Sequence, residues 1–255
     1  MTQQVIDGNI ISGRSENELQ IQDKFVDLFK NIPIPDNLLL GSLGLFINRQ
    51  LMSRIIAMHD IYQKIVNIHG VICEFGVFWG QNLALFELFR GMYEPYNCNR
   101  KIIGFDTFEG FASLDKKDGI SAIVKKGAYS TSAGYENILS QILDYHEANA
   151  PVPHIKKYEL VKGDASITVK EYLHRNPETI IAFAYFDLDV YKPTKDCLEA
   201  ILPHLSKGAI IGFDELNYHD FPGETLAFQE VLGINNYTIH QMPNNHLLSY
   251  IVFGE

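Results

Sequence analysis

No apolar run in this sequence approaches the roughly 20 residues needed to cross a bilayer, so no membrane-spanning segment is expected. The first residues, MTQQVIDGNIISGRSENE, lack a basic stretch followed by an apolar core, and no signal peptide is expected. Cysteine is scarce. Cys73, Cys98 and Cys197 are scattered, odd in number and without metal-ligand spacing, which reads as reduced thiols in a cytoplasmic protein. The histidines form no HExxH or His–Cys cluster, which argues against zinc. Positive charge is in deficit too. With 21 Lys and Arg against 31 Asp and Glu, the formal charge of −10 argues against nucleic acid or an anionic membrane as a partner. No repeat, low-complexity tract or Pro/Gly linker divides the chain.

What is present suits an ordinary globular protein with a sizeable core: 255 residues, 46% hydrophobic and 20% charged. Residues 1–69 read as an N-terminal arm followed by a helical cap. IQDKFVDLFKN has apolar residues at helical spacing. From about 43 to 69, Leu45, Leu51, Ile55, Met58, Tyr62 and Ile65 predict one amphipathic helix stopped by Gly70. From residue 70 to 255 the texture changes. VICEFGV (71–77), KIIGFDTF (101–108), YELVKGD (158–164), IIAFAYFDLD (180–189) and AIIGFDEL (209–216) are short apolar runs rich in β-branched and aromatic residues, separated by helical patterns. That alternation predicts βαβ units and a parallel sheet covered on both faces. NYTIHQM (236–242) and LLSYIVFG (247–254), joined by the turn-like PNNH, predict an antiparallel hairpin at one edge.

In such sheets ligands sit beyond the carboxyl ends of the strands, where strand order reverses. Each predicted strand carries polar residues at that end: Glu74 and Gly76, Asp106, Asp164, Asp187 and Asp214. A single acid there is commonplace as a helix cap; five converge on one rim. The spacing Glu74-x-Gly76-x-x-x-Gly80 permits a tight turn and close backbone approach, but it is not the GxGxxG of a dinucleotide fold. Asp106 suits a ribose diol, and Asp164-Ala165-Ser166 suits an adenine edge. The order of these features resembles class I S-adenosylmethionine-dependent methyltransferases.

Four segments narrow the resemblance: GVICEFGVFWGQNLALF, IIGFDTFEGF, FDLDVYKPTKDCLEAILPHLSKGAIIGFDEL and FPGETLAFQE, spanning roughly residues 70–230. Together they look like the macrocin O-methyltransferase (TylF-like) family and its sugar O-methyltransferase relatives. The resemblance implies a Rossmann-like fold with a seven-stranded, mostly parallel sheet and extra N-terminal helices. It implies S-adenosylmethionine contacts from Glu74, Gly76, Gly80, Asp106, Asp164 and Ala165. It also implies a magnesium or other divalent ion on Asp187, Asp214 and Glu215, with Glu215 standing where the family usually has Asp. The acceptor would be the hydroxyl of a small-molecule sugar or glycoside. Neighbouring strands lie about 4.8 Å apart, so carboxylates on adjacent strand ends could share one cation that relieves their mutual repulsion.

Several roles stay open at this level. The base is Asp187, Asp189 or His219. The loop between Gly110 and Gly134 is long and polar like a lid, and its Lys116-Lys117 and Lys125-Lys126 pairs meet either a diphosphate or solvent. Trp79 lines the cofactor pocket or packs in the core, and Glu224 binds acceptor or caps a helix. The N-terminal helices cover the acceptor or pair subunits into a homo-oligomer. The competing readings are an NAD-type oxidoreductase on the same topology, an O-methyltransferase for a non-sugar acceptor, and a degenerate scaffold.

Overall fold

The computed structural model describes residues 4–6, 10–12, 15–120 and 124–255. Two short strands, β1 (Gln4–Ile6) and β2 (Ile10–Ser12), pair antiparallel. Helix α1 (Glu16–Lys30) follows, started by a Ser15–Glu18 capping box, and none of its residues is buried. The short α2 (Asp36–Leu39) runs into a 3₁₀ turn over Leu40–Phe46. The single helix expected over 43–69 is therefore broken. Residues 40–46 wind as 3₁₀, Ile47 is extended, and α3 (Arg49–Ile65) begins only after Asn48, whose side chain accepts from the Leu51 amide at 2.8 Å. A side chain that satisfies an otherwise orphaned helix N–H sets a boundary that apolar periodicity does not reveal. From there α3 is core: Ala57, Met58, Ile61, Tyr62 and Ile65 are fully buried.

The central sheet comprises β3 (Val71–Phe75), β4 (Ile102–Asp106), β5 (Tyr158–Lys162), β6 (Ile181–Phe186), β7 (Leu205–Phe213), β8 (His240–Met242) and β9 (Asn245–Val252). Its order is β5-β4-β3-β6-β7-β9-β8. Strands β3 to β7 run parallel, while β9 pairs antiparallel with β7 and β8. Between them lie α4 (Gln81–Tyr93), α5 (Tyr135–Asn149), α6 (Ala165–Arg175), α7 (Tyr191–Ile201) and α8 (Pro222–Val231). Order reverses at β3, flanked by β4 and β6, and this is the expected ligand edge. Among the described residues no helix is long and apolar enough to cross a membrane.

One sequence pattern explains how the rim is aligned. Four neighbouring strands carry, at their carboxyl ends, Phe followed by a small or acidic residue: Phe75-Gly76, Phe105-Asp106, Phe186-Asp187 and Phe213-Asp214. Phe75 is in register with Phe105 and Phe186, and Phe186 with Phe213. The rings stack across the sheet with centroids 5.0, 4.8 and 5.4 Å apart. Burying each Phe stabilises by about 1.5–3 kcal/mol, and a one-residue slip would turn it to the opposite face. The buried row thus locks the register, and the next residue on each strand arrives at one edge.

Candidate functional site

A cavity of about 420 Å³ opens at this edge, within the usual size range for small-molecule sites. Gly76, Asp106, Asp164 and Ala165 line one part, and Asp187, Asp189, Asp214 and Glu215 line another. Glu74 and Gly80 do not form its wall. Glu74 lies beneath, 1% exposed, accepting from Asn82 Nδ2 at 2.8 Å. Burial holds its carboxyl well above the ordinary range, partly offset by the Asn82 hydrogen bond, and its Oε2 has no partner. Gly76 has φ +89°, and a Cβ there would stand 1.9 Å from the Asp187 carbonyl oxygen, so only glycine lets β3 and β6 end this close together. Gly80, at φ +78°, precedes α4, and an added Cβ would meet Leu139 at 2.3 Å.

Asp106 is more occupied than its strand-end position suggests. Its Oδ2 accepts from the amides of Val77 and Phe78 at 2.6 and 2.8 Å, and its Oδ1 from Phe108 at 2.6 Å. A carboxylate offers about four acceptor positions, so one remains for a ligand while the others clamp the glycine turn. That turn holds Phe78 at φ +50°. Asp164 caps α6 through the Ser166 amide at 3.0 Å and still faces the cavity. Trp79 lines the cavity, 43% exposed, with its ring edge-on to Tyr135 at 4.6 Å. It is not a core residue.

The acidic part is crowded. Burial and Asp214 push the Asp187 carboxyl up to about 7, with Arg54 pulling the other way. Burial, Asp214 and Asp187 push Glu215 up to about 8. Asp189, in left-handed backbone at φ +61° and 7% exposed, is held well above its ordinary value by burial, Glu215 and Asp187. Glu224 is completely buried at the start of α8, where its Oε1 accepts from the Glu215 amide at 3.2 Å and its Oε2 has no partner. It braces Glu215 from behind rather than lining the cavity.

Among the described residues one cation lines this cavity, and sequence reasoning missed it. Arg54, on α3, donates from Nη2 to Asp187 Oδ2 at 2.7 Å and to the Tyr185 hydroxyl at 3.1 Å. Its Nη1 is 3.1 Å from Asp214 Oδ1, and its Nε donates to Asn82 Oδ1 at 3.3 Å. Tyr185 donates in turn to Asp214 Oδ1 at 2.5 Å. The signal was available: Arg54 lies four and seven positions before Met58 and Ile61, a charge on the helix stripe that faces the core. His219 is not brought to the site. Its side chain is 84% exposed and pairs with Asp220 at 3.2 Å, outside the cavity wall.

The 111–134 loop borders the cavity through Phe111, Ala112 and Tyr129, and its residues 121–123 lie outside the described set. Asp118, 1% exposed, accepts from the Tyr191 amide at 2.5 Å. Lys117 pairs with Glu230 and sits 4.0 Å from the Tyr191 ring centroid, so this lysine fastens the loop to α7 and α8. Lys125 and Lys126 are exposed. Two loop aromatics, Phe111 and Tyr129, line the cavity, and each ring lies 6.3 Å from Phe221.

Comparison with solved structures gives a full-length match. The chain is 38% identical to CalS11, described as a calicheamicin methyltransferase, with 100% of each chain covered and a TM-score of 0.93. A second structure, the apo form of CalS11, described as a TDP-rhamnose 3'-O-methyltransferase of calicheamicin biosynthesis, is 38% identical over 96% of this chain and 97% of that one, TM-score 0.85. The O-methyltransferase NovP, at 15% identity over 79% of each chain and a TM-score of 0.59, shares the fold. No protein-family profile matches the chain, and a search of curated proteins found no match.

Proposed function

Because the chain belongs to the sugar O-methyltransferase family of class I S-adenosylmethionine-dependent methyltransferases, we propose that it methylates a sugar hydroxyl on a small-molecule acceptor, with S-adenosylmethionine as donor. The observation that carries this reading is the continuous cavity, which runs from Gly76, Asp106 and Asp164 to the carboxylates of β6 and β7. The cofactor belongs at the glycine turn. There the remaining acceptor position on Asp106 and the α6 cap at Asp164 suit a ribose and an adenine edge. The acceptor belongs under Phe111 and Tyr129, whose ring faces suit the apolar side of a sugar. A nucleotide sugar, a glycoside natural product and a polysaccharide precursor all present such a hydroxyl. Membership in this family retires the nicotinamide oxidoreductase alternative.

The reaction is a displacement. The acceptor oxygen attacks the methyl carbon, the carbon–sulfur bond breaks with its electron pair going to sulfur, and the hydroxyl proton leaves to a carboxylate. Asp187 is the acceptor of that proton. It adjoins the Gly76 turn by backbone, lines the cavity, and its side chain stays 28% exposed while Arg54 holds one oxygen. Asp189 and Glu215 complete the carboxyl wall beside it.

The resemblance also implies magnesium at Asp187, Asp214 and Glu215. The side chains as arranged do not fit it. Arg54 engages two of the three carboxylates, and among the described residues no group of three His, Cys, Asp or Glu is disposed to hold a metal ion. The cytoplasmic setting and a homo-oligomer complete the proposal; Ile21, Leu28, Leu40 and Leu45 are 59–68% exposed on residues 16–46, a patch suited to a partner copy.

Calorimetric titration with S-adenosylhomocysteine tests the cofactor assignment, and no binding at millimolar ligand overturns it. A panel of nucleotide sugars and glycosides tests the acceptor. Methylation confined to non-sugar hydroxyls, or cofactor binding with no transfer at all, refutes the sugar reading.

A further inference from the structure

The guanidinium of Arg54 occupies the place between β6 and β7 that a shared cation would take. Its Nη2 lies 2.7 Å from Asp187 Oδ2 and its Nη1 3.1 Å from Asp214 Oδ1. A magnesium ion on the same two carboxylates would need oxygens at about 2.0–2.1 Å, and it would repel the fixed charge of the guanidinium beside it. The two cations cannot share this space. We propose that Arg54 is a tethered counter-cation, and that its guanidinium and a divalent metal ion are alternative occupants of the Asp187–Asp214 position.

Three observations carry this. First, the group is delivered by a rigid element. Fully buried side chains hold α3 from Ala57 to Ile65, and Asn48 caps its start, so Arg54 sits on a fixed helix rather than a loose loop. Second, the contacts are specific: a planar fork spans two carboxylates of adjacent strands while Tyr185 and Asn82 satisfy its remaining edges. Third, the charge is unsatisfied after Arg54 is counted. Asp187, Asp189, Asp214 and Glu215 line the cavity with Arg54 as its one cation among the described residues, and the buried Oε2 atoms of Glu215 and Glu224 have no hydrogen-bond partner. A rim this acidic retains capacity for a more highly charged occupant. The Arg54 side chain is 26% exposed, so it has a solvent side toward which to withdraw.

The inference rests on the proposed site but not on its donor or acceptor. It implies that Arg54 weakens metal binding and that removing it uncovers a site. Titration of the full chain with manganese(II) alone, followed by the paramagnetic resonance of the free ion, reads this without any turnover. Arg54→Gln should bind one ion at least tenfold more tightly than the parent, and the double change Arg54→Gln with Asp187→Asn should lose that gain. Parent and Arg54→Gln affinities within twofold of each other overturn the proposal, as does a gain that survives Asp187→Asn. If Arg54→Gln does not fold, by circular dichroism, Arg54→Lys supplies the same decision. A lysine keeps the charge but cannot fork across both carboxylates, so its manganese affinity should exceed that of the parent, and equality refutes the idea. S-adenosylhomocysteine titrated into the same parent sample reports on the methyltransferase reading separately, so either inference can fail while the other stands.

Discussion

Two buried charge clusters sit at opposite ends of the sheet, and their difference separates fold from chemistry. At the amino ends of β3, β4 and β5, three cations (Arg90, Arg100, Lys157) meet three acids (Glu87, Glu94, Glu147), all at most 9% exposed. Arg100 donates to the carbonyls of Gly70, Ile65 and Ile68 at 2.6, 3.0 and 2.8 Å and pairs with Glu94 at 2.9 Å. Arg90 pairs with Glu147 and donates to the Lys157 carbonyl. Arg90, Arg100 and Lys157 pair with Glu94 and Glu147 and fasten the ends of the chain segments they join, while both Glu87 oxygens are buried without a hydrogen-bond partner. At the carboxyl ends, Asp187, Asp189, Asp214 and Glu215 line the cavity beside Arg54, its one cation among the described residues. A balanced cluster closes on itself and fastens backbone. An unbalanced one holds field and acceptor capacity in reserve for a ligand.

The comparison breaks most visibly at Arg100. Arg100→Met leaves Glu94 buried without its ion pair and takes the guanidinium donors from the Gly70, Ile65 and Ile68 carbonyls, and should lower unfolding free energy by about 3–5 kcal/mol in urea titration. Arg54→Gln should cost less than half as much, because the rim carboxyls reach cavity water. Equal losses would mean that the rim, too, is mainly structural. At the rim itself, Asp187→Asn should reduce turnover by about 10²–10⁴-fold while S-adenosylhomocysteine affinity stays within threefold of the parent. Retained turnover would move the proton acceptor elsewhere.

Gly76→Ala joins the two functions of the rim. A Cβ so close to the Asp187 carbonyl, at φ +89°, forces the β3 and β6 ends apart, and should cost about 1–3 kcal/mol of stability together with most of the cofactor affinity. Full cofactor binding in this variant would show that the approach of the two strands is incidental. The smallest effect belongs to Glu87, whose carboxyl burial pushes up to about 8, with Arg90 opposing. Raised above its unfolded value of about 4.3, this group contributes stability that is fully present below that pH and is lost as pH rises through 8. Glu87→Gln should therefore melt like the parent at pH 4 and several degrees higher at pH 9. Identical melting curves across that window would show that Glu87 ionises freely.

Much of this organisation was legible in the residues. Short β-branched and aromatic runs alternating with helical patterns predicted the parallel sheet, and its closing hairpin, because period and composition report which faces are buried. The acids at the strand ends predicted the rim, since strands that end together place their next residues together. Less legible were features that depend on contacts between distant segments. The break before α3 came from a side-chain cap at Asn48, and His219 was drawn to the surface beside Asp220. Arg54 meets Asp187 across 133 positions of sequence. Asp106 looked free, yet the glycine turn folds back and takes most of its acceptor capacity.

By itself the sequence determined the elements and their edge. The row Phe75, Phe105, Phe186 and Phe213 permits one register, and that register carries Gly76, Asp106, Asp187 and Asp214 to the same side, because burial of large rings leaves the strands no freedom to slip. Only the tertiary structure decided which charges meet there. Pairing α3 against the sheet set a guanidinium between two carboxylates that nothing local attracts to it, because ion pairing depends on distance in space and on excluded water, and neither is written in the spacing of residues along the chain.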